Sequence, residues 1–472
     1  MSEFYHTITP SEEPLSLKSA VATLRESITR FNQENGLDHS LSRRITFRQP
    51  VQPSDIPLWL SRQQVYPKIF WQNRERNFAV AGIGIADSIS AENESENENS
   101  FDELQRQFEG KEPMARYFGG IRFNNEEKLD PAWKGFSSFT FILPLVELAF
   151  EHNTFSLSCR LFLKNGDDHQ AKTEQIIAIL DTVTTGGDSS GSRLPELLGI
   201  TYNPDEPAWK ENCLKALRSF EESDMKKVAL ARQTILEFSS EFSPLLFQLR
   251  YPYPDNAVYR FHFEPAEHHA FFSFSPERLY LRNGDRLLTE ALAGTVSKRS
   301  ITGSDQDASD LLLNSEKDIR EHKFVSEMIH SELSPLCSEV DMENELHVLQ
   351  LNRLAHLYTR CSATLRPEFR NDTAILKRLH PTPAVGGVPK AEAMRNIMEL
   401  EPFNRGWYAA PVGWMSRDAA EFCVAIRSAL VKDRFVTLYS GAGLVKGSDP
   451  HAEWEEVEQK IGDILAITRQ EA

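Results

Sequence analysis

The chain has 472 residues, 40% of them hydrophobic, and a formal net charge of −17 at pH 7. This length supports a large core and suggests two or three domains. The negative charge disfavours nucleic acid and anionic membranes as partners, so an anionic ligand would need basic side chains or a metal ion around it.

The sequence has no run of the ~20 apolar residues that a membrane helix needs, and its N-terminus lacks the pattern of a secretory signal. Its five scattered cysteines include no CxxC pair. This usage indicates neither a zinc site nor a disulfide framework, and it favours a cytoplasmic location.

The first part of the chain, residues 1–183, has the hydrophobic patterning of an α+β region. We expect the acidic, low-complexity stretch 90–102 to be a surface loop. The Gly- and Ser-rich stretch 184–193 is typical of a linker, so we place a soft boundary at 184–204, within what we expect to be one structural domain. The predicted helices cover 15–32 and 170–180, and the predicted strands cover 45–51, 69–71, 78–85, 117–123, 139–149 and 154–163.

The second part, residues 205–468, continues with strands in runs and helices placed irregularly between them. This order predicts the α+β class rather than a repeated β-α-β array. Asn283-Gly284 predicts a hairpin turn. Helices are predicted from Pro207, over 307–333 and over 373–379, and strands over 227–234, 258–263, 270–274, 278–281, 287–292, 346–349, 355–362, 424–431 and 435–439.

A glycine-containing segment follows the last of these strands. Gly441 and Gly443 allow a tight turn or a close approach of the backbone to a ligand. Asp449 and Pro450 have the residue types of an N-cap and a first helical position. We therefore expect a strand, a glycine turn and a helix that runs toward the C-terminus.

Two of the predicted helices carry pairs of carboxylates at helical spacing. Glu453, Glu456 and Lys460 share one face of the C-terminal helix, and Asp318 and Glu321 share one face of the helix over 307–333. Together the two pairs suit Mg²⁺, which prefers oxygen ligands and keeps several waters. The alternative is ordinary solvated charge, which is common on acidic helices.

Lys227 and Glu277 are candidate proton-transfer groups. Lys227 begins an apolar strand and is followed on its face by small residues, so it can point into a cavity, where loss of hydration favours the neutral, basic amine. An edge-strand lysine that prevents aggregation is the alternative. A buried Glu277 would be a general acid, whereas an exposed Glu277–Arg278 ion pair is the alternative for that residue.

Three further side chains are candidates for ligand contact. Arg427 interrupts an apolar strand and needs an anionic partner, which is either a bound carboxylate or a structural ion pair. Thr382 lies in a Pro- and Gly-rich loop and can donate to a ligand. His356 has the context of a core histidine whose hydrogen bonds are satisfied, with a ligand contact as the alternative.

Taken together, these segments resemble the chorismate-utilising enzyme family. The resemblance covers about residues 205–465, with a further similar block, YFGGIRFN, in the N-terminal part. The matching blocks occur in the order of the family: KVALAR, SFSPERL, TEALAGT, SEKDIREH, LHPTPAVGG, RGWYAAPVGW, EFCVAIRSAL and SGAGLVKGSDPHAEWEEVEQK.

The resemblance implies an α+β fold in which two large antiparallel β-sheets pack face to face with helices outside. It also implies that Mg²⁺ binds Glu321 and Glu456, with Asp318 and Glu453 supporting through water. It places the carboxylates of chorismate against Tyr408, Arg427, Lys460 and the backbone of Gly441 and Gly443. Gly294, Thr295 and His356 would line the pocket for the ring.

The resemblance further implies that water is the nucleophile. Ammonia-using members of the family lack a lysine at the position of Lys227, and other members carry a nucleophilic lysine where this chain has Ala293. We therefore expect an isochorismate synthase, with Lys227 as base toward water at C2 and Glu277 as acid toward the C4 hydroxyl.

Three other functions stay open at this point. They are salicylate synthase, a non-catalytic sensor of similar metabolites, and an amination enzyme of the anthranilate synthase type that depends on a glutaminase subunit. We expect no glutaminase partner and a monomer or weak homodimer. The pathway served, which could be menaquinone, siderophore or salicylate formation, is not indicated by any residue.

Overall fold

A computed structural model describes residues 4–35, 43–91, 104–106, 108, 115–125, 130–163, 166–186, 193–251, 258–297, 305–350 and 354–468. The strands are β1 (Phe4–Ile8), β2 (Arg43–Val51), β3 (Lys68–Gln72), β4 (Phe78–Ala91), β5 (Tyr117–Ile121), β6 (Phe139–Glu151), β7 (Thr154–Leu163), β8 (Leu197–Asn203), β9 (Lys227–Phe238), β10 (Tyr259–Ala266), β11 (His269–Ser275), β12 (Arg278–Asn283), β13 (Arg286–Ser297), β14 (Cys337–Met342), β15 (His347–Gln350), β16 (Leu354–Leu365), β17 (Gly387–Val388), β18 (Pro411–Met415), β19 (Ala419–Val424), β20 (Ser428–Lys432) and β21 (Phe435–Val445).

The α-helices pack on the outer faces and at the ends of these strands. They are α1 (Leu17–Asn35), α2 (Ile56–Ser61), α3 (His169–Thr182), α4 (Glu206–Glu222), α5 (Leu245–Arg250), α6 (Asp305–Leu313), α7 (Glu316–Leu333), α8 (Asp372–Leu379), α9 (Lys390–Leu400) and α10 (Pro450–Thr468). No helix in these described ranges has both the length and the apolar character needed to cross a bilayer.

The described strands form one hydrogen-bonded network of 21 strands, which divides into two layers at β6. The N-terminal half of β6 pairs with β5, which leads through β18, β19, β12 and β13 to β16. Its C-terminal half pairs with β7, and its other edge pairs with β4, which leads through β3, β10, β11, β20 and β21 to β9. All of these pairings are antiparallel, whereas β1 and β2, at the margin of the network, run parallel. The predicted α+β class and antiparallel architecture are confirmed.

Aromatic side chains fill the space between the two layers. Phe141 of β6 packs edge-on against Phe422 of β19, and Phe78 of β4 packs against Trp414 of β18. A single apolar cluster includes residues from the N-terminal part of the chain, such as Trp71, together with residues such as Tyr439 near its end. Burial of this shared cluster holds the two layers together because apolar area is removed from water on both.

Three of the element predictions are wrong. The predicted helix over 307–333 is two helices, because Ser315 accepts a hydrogen bond from Asp318 N and caps α7. The predicted strand over 424–431 is interrupted before β20, where Arg427 has φ 49°. The predicted glycine turn is also wrong: β21 continues through both glycines, and the turn comes at Gly447, with φ 91°.

Two predicted loop regions fall largely outside the described residues. In the acidic stretch 90–102, only the first two residues are described, and they end β4. Positions 187–192 of the Gly- and Ser-rich stretch also lie outside. β4 also runs past its predicted end at 85 to Ala91, while most other predicted bounds agree to within a few residues. One example is the helix that starts at Pro450, where Asp449 accepts hydrogen bonds from the amides of His451 and Ala452.

Candidate active site

A cavity of about 140 Å³ lies where β9, β13 and β21 meet α7 and α10. Most of the residues singled out from the sequence line its wall, although they come from distant parts of the chain. The predicted residues in the wall are Lys227, Glu277, Gly294, Asp318, Glu321, His356, Tyr408, Arg427, Gly441, Gly443, Glu453, Glu456 and Lys460.

Lys227 projects into this cavity from an interior strand. Its backbone lies between β17, where Val388 is its partner, and β21, where Val445 is its partner. The side chain is 2% exposed, and its Nζ donates to Glu321 Oε1 at 2.7 Å. Lys227 is therefore not the edge-strand lysine of the alternative interpretation.

Glu277 lies in the same wall, 5% exposed, at the end of the tight connection between β11 and β12. Burial, and next the negative charge of Glu290, raise the pKa of its carboxyl to about 8. The neighbouring Arg278 pairs with Glu75 and Glu421 instead. The exposed Glu277–Arg278 pair is thus excluded, and Glu277 has the environment of a carboxyl that is protonated near neutral pH.

Two threonines predicted at the site differ from the other candidates. Thr382 is buried but is not in the cavity wall; its Oγ1 donates to Glu277 Oε1 at 3.2 Å. This hydrogen bond leaves the second carboxyl oxygen of Glu277 to carry the proton. Thr295 of β13 is the backbone partner of His356 in β16, and only the backbone of Thr295 is among the described parts of the structure.

A bulge in β13 shapes the part of the wall around His356. The register shifts between Ala293 and Thr295, which leaves Gly294 as the extra residue, with φ 71°. Its carbonyl faces His356 Nδ1 at 3.2 Å, while Arg427 NH2 lies 3.3 Å from His356 Nε2. Because a guanidinium only donates, Nε2 accepts and Nδ1–H donates to Gly294.

Both groups of this pair are buried. Burial, and next the charge of Arg427, lower the pKa of His356 to about 3, so the ring is neutral. Arg427 is 8% exposed, and burial lowers its pKa from the ordinary value, while Tyr251 and Asp463 act in the opposite sense. The result is a guanidinium in a low-dielectric wall, where its attraction for an anion is stronger than in water.

The two glycines of β21 make room for side chains rather than for a turn. A Cβ on Gly443 would lie 2.9 Å from Lys227 Cε, and a Cβ on Gly441 would lie 2.7 Å from the carbonyl oxygen of Leu230 and 3.0 Å from the Tyr408 hydroxyl. Lys460 Nζ donates to the carbonyl of Gly441 at 3.0 Å and pairs with Glu456 Oε1 at 2.6 Å. The Lys227 side chain thus occupies the space beside Gly443, while the Leu230 carbonyl and the Tyr408 hydroxyl occupy the space beside Gly441.

The predicted metal ligands lie on two helices that face the cavity, Asp318 and Glu321 on α7 and Glu453 and Glu456 on α10. Among the residues with described positions, no three His, Cys, Asp or Glu side chains are grouped closely enough to hold a metal ion. Lysine ammonium groups lie against two of the acids, Glu321 and Glu456. Four carboxylates around one cavity nevertheless form the donor set that a hard cation takes.

Sequence reasoning missed Arg405, which also lines the cavity. Its guanidinium is 3% exposed, donates to the carbonyls of Val385 and Ala229 at 2.7 Å each, and pairs with Glu401. Glu401 in turn accepts from the amide of Ala231 at 2.8 Å. Together the two side chains hold the backbone of β9, the strand of Lys227, at Ala229 and Ala231. The spacing of Glu401 and Arg405, four residues apart in sequence, is the signal that could have indicated this ion pair.

Chemically, this arrangement offers an amine and a neutral carboxylic acid in one small enclosure, with basic groups for an anion. Lys227 and Glu277 are suited to move protons, and Arg427 and Lys460 are suited to bind carboxylates. The acids on α7 and α10 add a place for a cation beside them.

Comparisons with known proteins agree on one family. The sequence profile of the family described as chorismate binding enzyme matches residues 31–469. The chain is 33% identical over 406 residues, 84% of its length and 69% of the relative's, to a chloroplastic isochorismate synthase of Catharanthus roseus. It is 31% identical over 453 residues, 93% of its length and 98% of the relative's, to isochorismate synthase MenF of Escherichia coli strain K12.

A solved structure gives the same result for the fold. The structure of MenF, the menaquinone-specific isochorismate synthase from Escherichia coli, superimposes with a TM-score of 0.83 and 28% identity, covering 96% of this chain and 99% of that one. The family profile spans nearly the whole chain and the fold is shared. This protein belongs to the family of chorismate-binding enzymes.

Proposed function

We propose that this protein is an isochorismate synthase, which converts chorismate to isochorismate. The observation that carries the proposal is that Lys227 and Glu277, both nearly inaccessible to solvent, line the same cavity. The relatives named isochorismate synthase support it, since two of them match most of this chain at about 30% identity.

In this proposal the substrate's carboxylates lie against Arg427 and Lys460, with the Tyr408 hydroxyl and the backbone of Gly441 and Gly443 beside them. His356, held neutral and oriented by Gly294 and Arg427, lies against the ring together with Gly294 and Thr295. The low dielectric of the buried wall strengthens these contacts, which is needed to bind a dianion to a protein with net charge −17.

The reaction is an exchange of hydroxyl positions. In this mechanism Lys227 is the base: it accepts a proton from a water whose oxygen bonds to C2, the double bonds of the ring shift, and the C4–O bond breaks. Glu277 donates its proton to the departing hydroxyl, which leaves as water. One water enters and one leaves, so the conversion is an isomerisation. A carboxyl with a pKa of about 8 is still protonated at neutral pH, as this step requires.

The donor set also supports a Mg²⁺ site at Glu321 and Glu456, with Asp318 and Glu453 completing it through water. When bound, Mg²⁺ would offset the charge of the acids and of the substrate's ring carboxylate. Replacement of Glu456 by Gln is expected to abolish activation by Mg²⁺. A Glu456 variant whose turnover still rises on addition of Mg²⁺ would contradict this ligand assignment.

The test is incubation of the purified protein with chorismate and Mg²⁺, without an ammonia source, and chromatography of the products. We expect isochorismate as the product when the reaction is run near neutral pH under reducing conditions, as in the cytoplasm, and with no glutaminase subunit added. Salicylate, detected by its fluorescence, would instead assign the salicylate synthase reaction. Aminated product formed only with ammonia or glutaminase, or binding of chorismate without turnover, would overturn the proposal.

A further inference from the structure

An ion pair outside the cavity wall lies directly behind Glu277. Arg74, in the connection between β3 and β4, forms a forked pair with Glu290 of β13, with NH1 and NH2 each donating to one carboxylate oxygen at 2.8 Å. The two residues are 216 positions apart in sequence. Their side chains are 9% and 1% exposed. Neither belongs to the set that contacts the cavity.

The pair is hydrogen-bonded to the backbone on both sides of Glu277. Arg74 NH1 donates to the carbonyl of Pro276 at 2.9 Å, and Glu290 Oε1 accepts from the amide of Arg278 at 2.8 Å. The peptide units that precede and follow Glu277 are therefore each held by one member of the pair. Because both units are fixed, the Cα–Cβ direction of Glu277 is fixed toward the cavity.

The remaining backbone groups of Glu277 are bound as well. Its amide donates to Ser275 Oγ at 3.2 Å, and its carbonyl accepts from the amide of Val424 at 3.1 Å. The first is a local bond to a side chain two residues earlier, and the second is of the kind found between neighbouring strands. The Arg74–Glu290 pair differs because it is charged and buried, and it comes from another part of the chain. It also places a negative charge near the carboxyl of Glu277, where it opposes ionisation.

We propose that Arg74 and Glu290 are positioning residues for the reaction: their ion pair holds the two peptide units around Glu277, sets the direction of its side chain, and keeps the charge of Glu290 close to it. This inference rests on the proposed role of Glu277. It assigns the N-terminal part of the chain a part in catalysis, through Arg74.

The contributions of Arg74 and Glu290 can be tested separately with variants that each remove one charge. Glu290→Gln keeps an oxygen that can accept from Arg278 but removes the negative charge, so the pKa of Glu277 falls. Arg74→Met leaves Glu290 without its forked partner, so the pKa of Glu277 rises. We expect the alkaline limb of the kcat profile to move by about half a pH unit or more, downward in Glu290→Gln and upward in Arg74→Met.

Both variants should also lower kcat by about tenfold or more with KM changed less than about threefold, since the acid is misaligned while the substrate contacts remain. Arg74→Lys keeps the positive charge but cannot form two parallel hydrogen bonds to Glu290. We expect this variant to lower kcat without moving the alkaline limb of its pH profile. Full kcat in a folded Arg74→Lys protein contradicts the positioning role, and this variant decides the question if Arg74→Met does not fold.

The chain offers a matched control in Arg282 and Asp372. This pair is also forked, at 2.7 Å for each bond, and each side chain is 2% exposed, but neither residue is bonded to the backbone around Glu277. Asp372→Asn and Arg282→Met should lower stability to a similar degree and leave the alkaline limb unchanged. If the control pair moves the limb as the Arg74–Glu290 pair does, or if the two test variants move it in the same direction, the proposal is wrong.

A second readout does not need turnover. The Glu277 carboxyl can be titrated by ¹³C NMR in glutamate-labelled protein, with its signal identified by its loss in Glu277→Gln. We expect the titration midpoint to move in the same opposite directions in Glu290→Gln and Arg74→Met. If the parent protein does not convert chorismate, the proposed function fails on that result alone. Unmoved midpoints in an active parent protein contradict only the role of the pair.

Discussion

Glu277 and Lys227 are both buried in the cavity wall, and their surroundings act on their charges differently. Burial, and next the negative charge of Glu290, raise the pKa of the Glu277 carboxyl to about 8, while the hydrogen bond from Thr382 acts in the opposite sense. The amine of Lys227 is instead paired with Glu321 at 2.7 Å. A neutral acid and a paired amine are stable together in one enclosure because neither is an isolated buried charge.

Replacing either group is expected to remove a proton-transfer step. Lys227→Ala and Glu277→Gln should each lower kcat for chorismate by at least about 100-fold, the usual effect of losing a general acid or base. Lys226→Ala provides the control, since Lys226 is adjacent to Lys227 but exposed, and its turnover should equal that of the parent protein. Turnover near the parent level in a folded Lys227→Ala or Glu277→Gln protein would refute the assigned role.

The raised pKa of Glu277 also predicts the pH dependence of the reaction. In the proposed mechanism Glu277 must carry its proton, so kcat should fall as pH rises through about 8. In Glu277→Gln the small residual rate should lack this limb. Steady-state rates between pH 6 and 10, measured at saturating chorismate, check the expectation. An alkaline limb that persists unchanged in Glu277→Gln must belong to another group.

At the scale of elements, the site depends on two adjacent strands, β9 and β21. Gly443 lies opposite Ala229 in their pairing, and the absence of a side chain there leaves the path of the Lys227 side chain open. The sequence left two interpretations of these glycines, a tight turn or a close approach to a ligand, and the turn is wrong. A glycine in a strand interior is consistent with close approach by another group just as it is with a bend, and the neighbouring strand decides between them.

Gly443→Ala tests this interpretation. The added Cβ would lie 2.9 Å from Lys227 Cε, so the flexible end of the lysine must move. We expect kcat to fall by about tenfold to 100-fold, as for other ångström-scale displacements of a reacting group, with a modest change in unfolding free energy. Gly199→Ala, where an added Cβ meets nothing within 4 Å, should leave both quantities unchanged. Parent-level kcat in Gly443→Ala would show that Lys227 is not constrained by β21.

The helix predictions show what hydrophobic periodicity can and cannot resolve. Periodicity predicted the helix from Pro450, where the apolar stripe and the N-cap residue agree. It joined α6 and α7 because apolar residues recur on both sides of the break, while the polar Ser315 cap that separates the two helices is a local hydrogen-bonding feature. Pairs such as Asp318 and Glu321 were still assigned to one helix, since both lie after the break.

At the scale of the whole molecule, buried histidines are expected to make the protein sensitive to acid. Burial lowers the pKa of both His356 and His380 to about 3, from an ordinary value of 6.5. Between these values the unfolded chain binds protons that the folded chain does not, so stability falls as pH falls, by about 1.4 kcal/mol per pH unit for each histidine. Glu277 acts in the opposite sense from pH 4.5 to about 8.

The contribution of one histidine can be isolated by difference. His380→Gln retains a donor for the carbonyl of Phe123, which His380 Nε2 contacts at 2.9 Å, but has no titrating ring. Urea unfolding at pH 4.5, 5.5 and 6.5 should therefore show a shallower loss of stability in acid than in the parent protein. His347→Gln, at an exposed position, should show the parent's slope. An unchanged slope in His380→Gln would mean that His380 is not held neutral in the fold.

The sequence by itself determined the α+β class, most of the strands and helices, and the family. It also placed the carboxylates of the candidate site on two helices. These results follow from local spacing, since helix and strand periods bring residues a few positions apart onto one face. Only the tertiary structure decided that Glu277 is buried beside Glu290, that Thr382 contacts Glu277 rather than the cavity, and that Arg74 holds the peptide before the acid. These depend on burial and on contacts between segments, such as that of Arg74 with Glu290, that are far apart in sequence and become neighbours only when the chain folds.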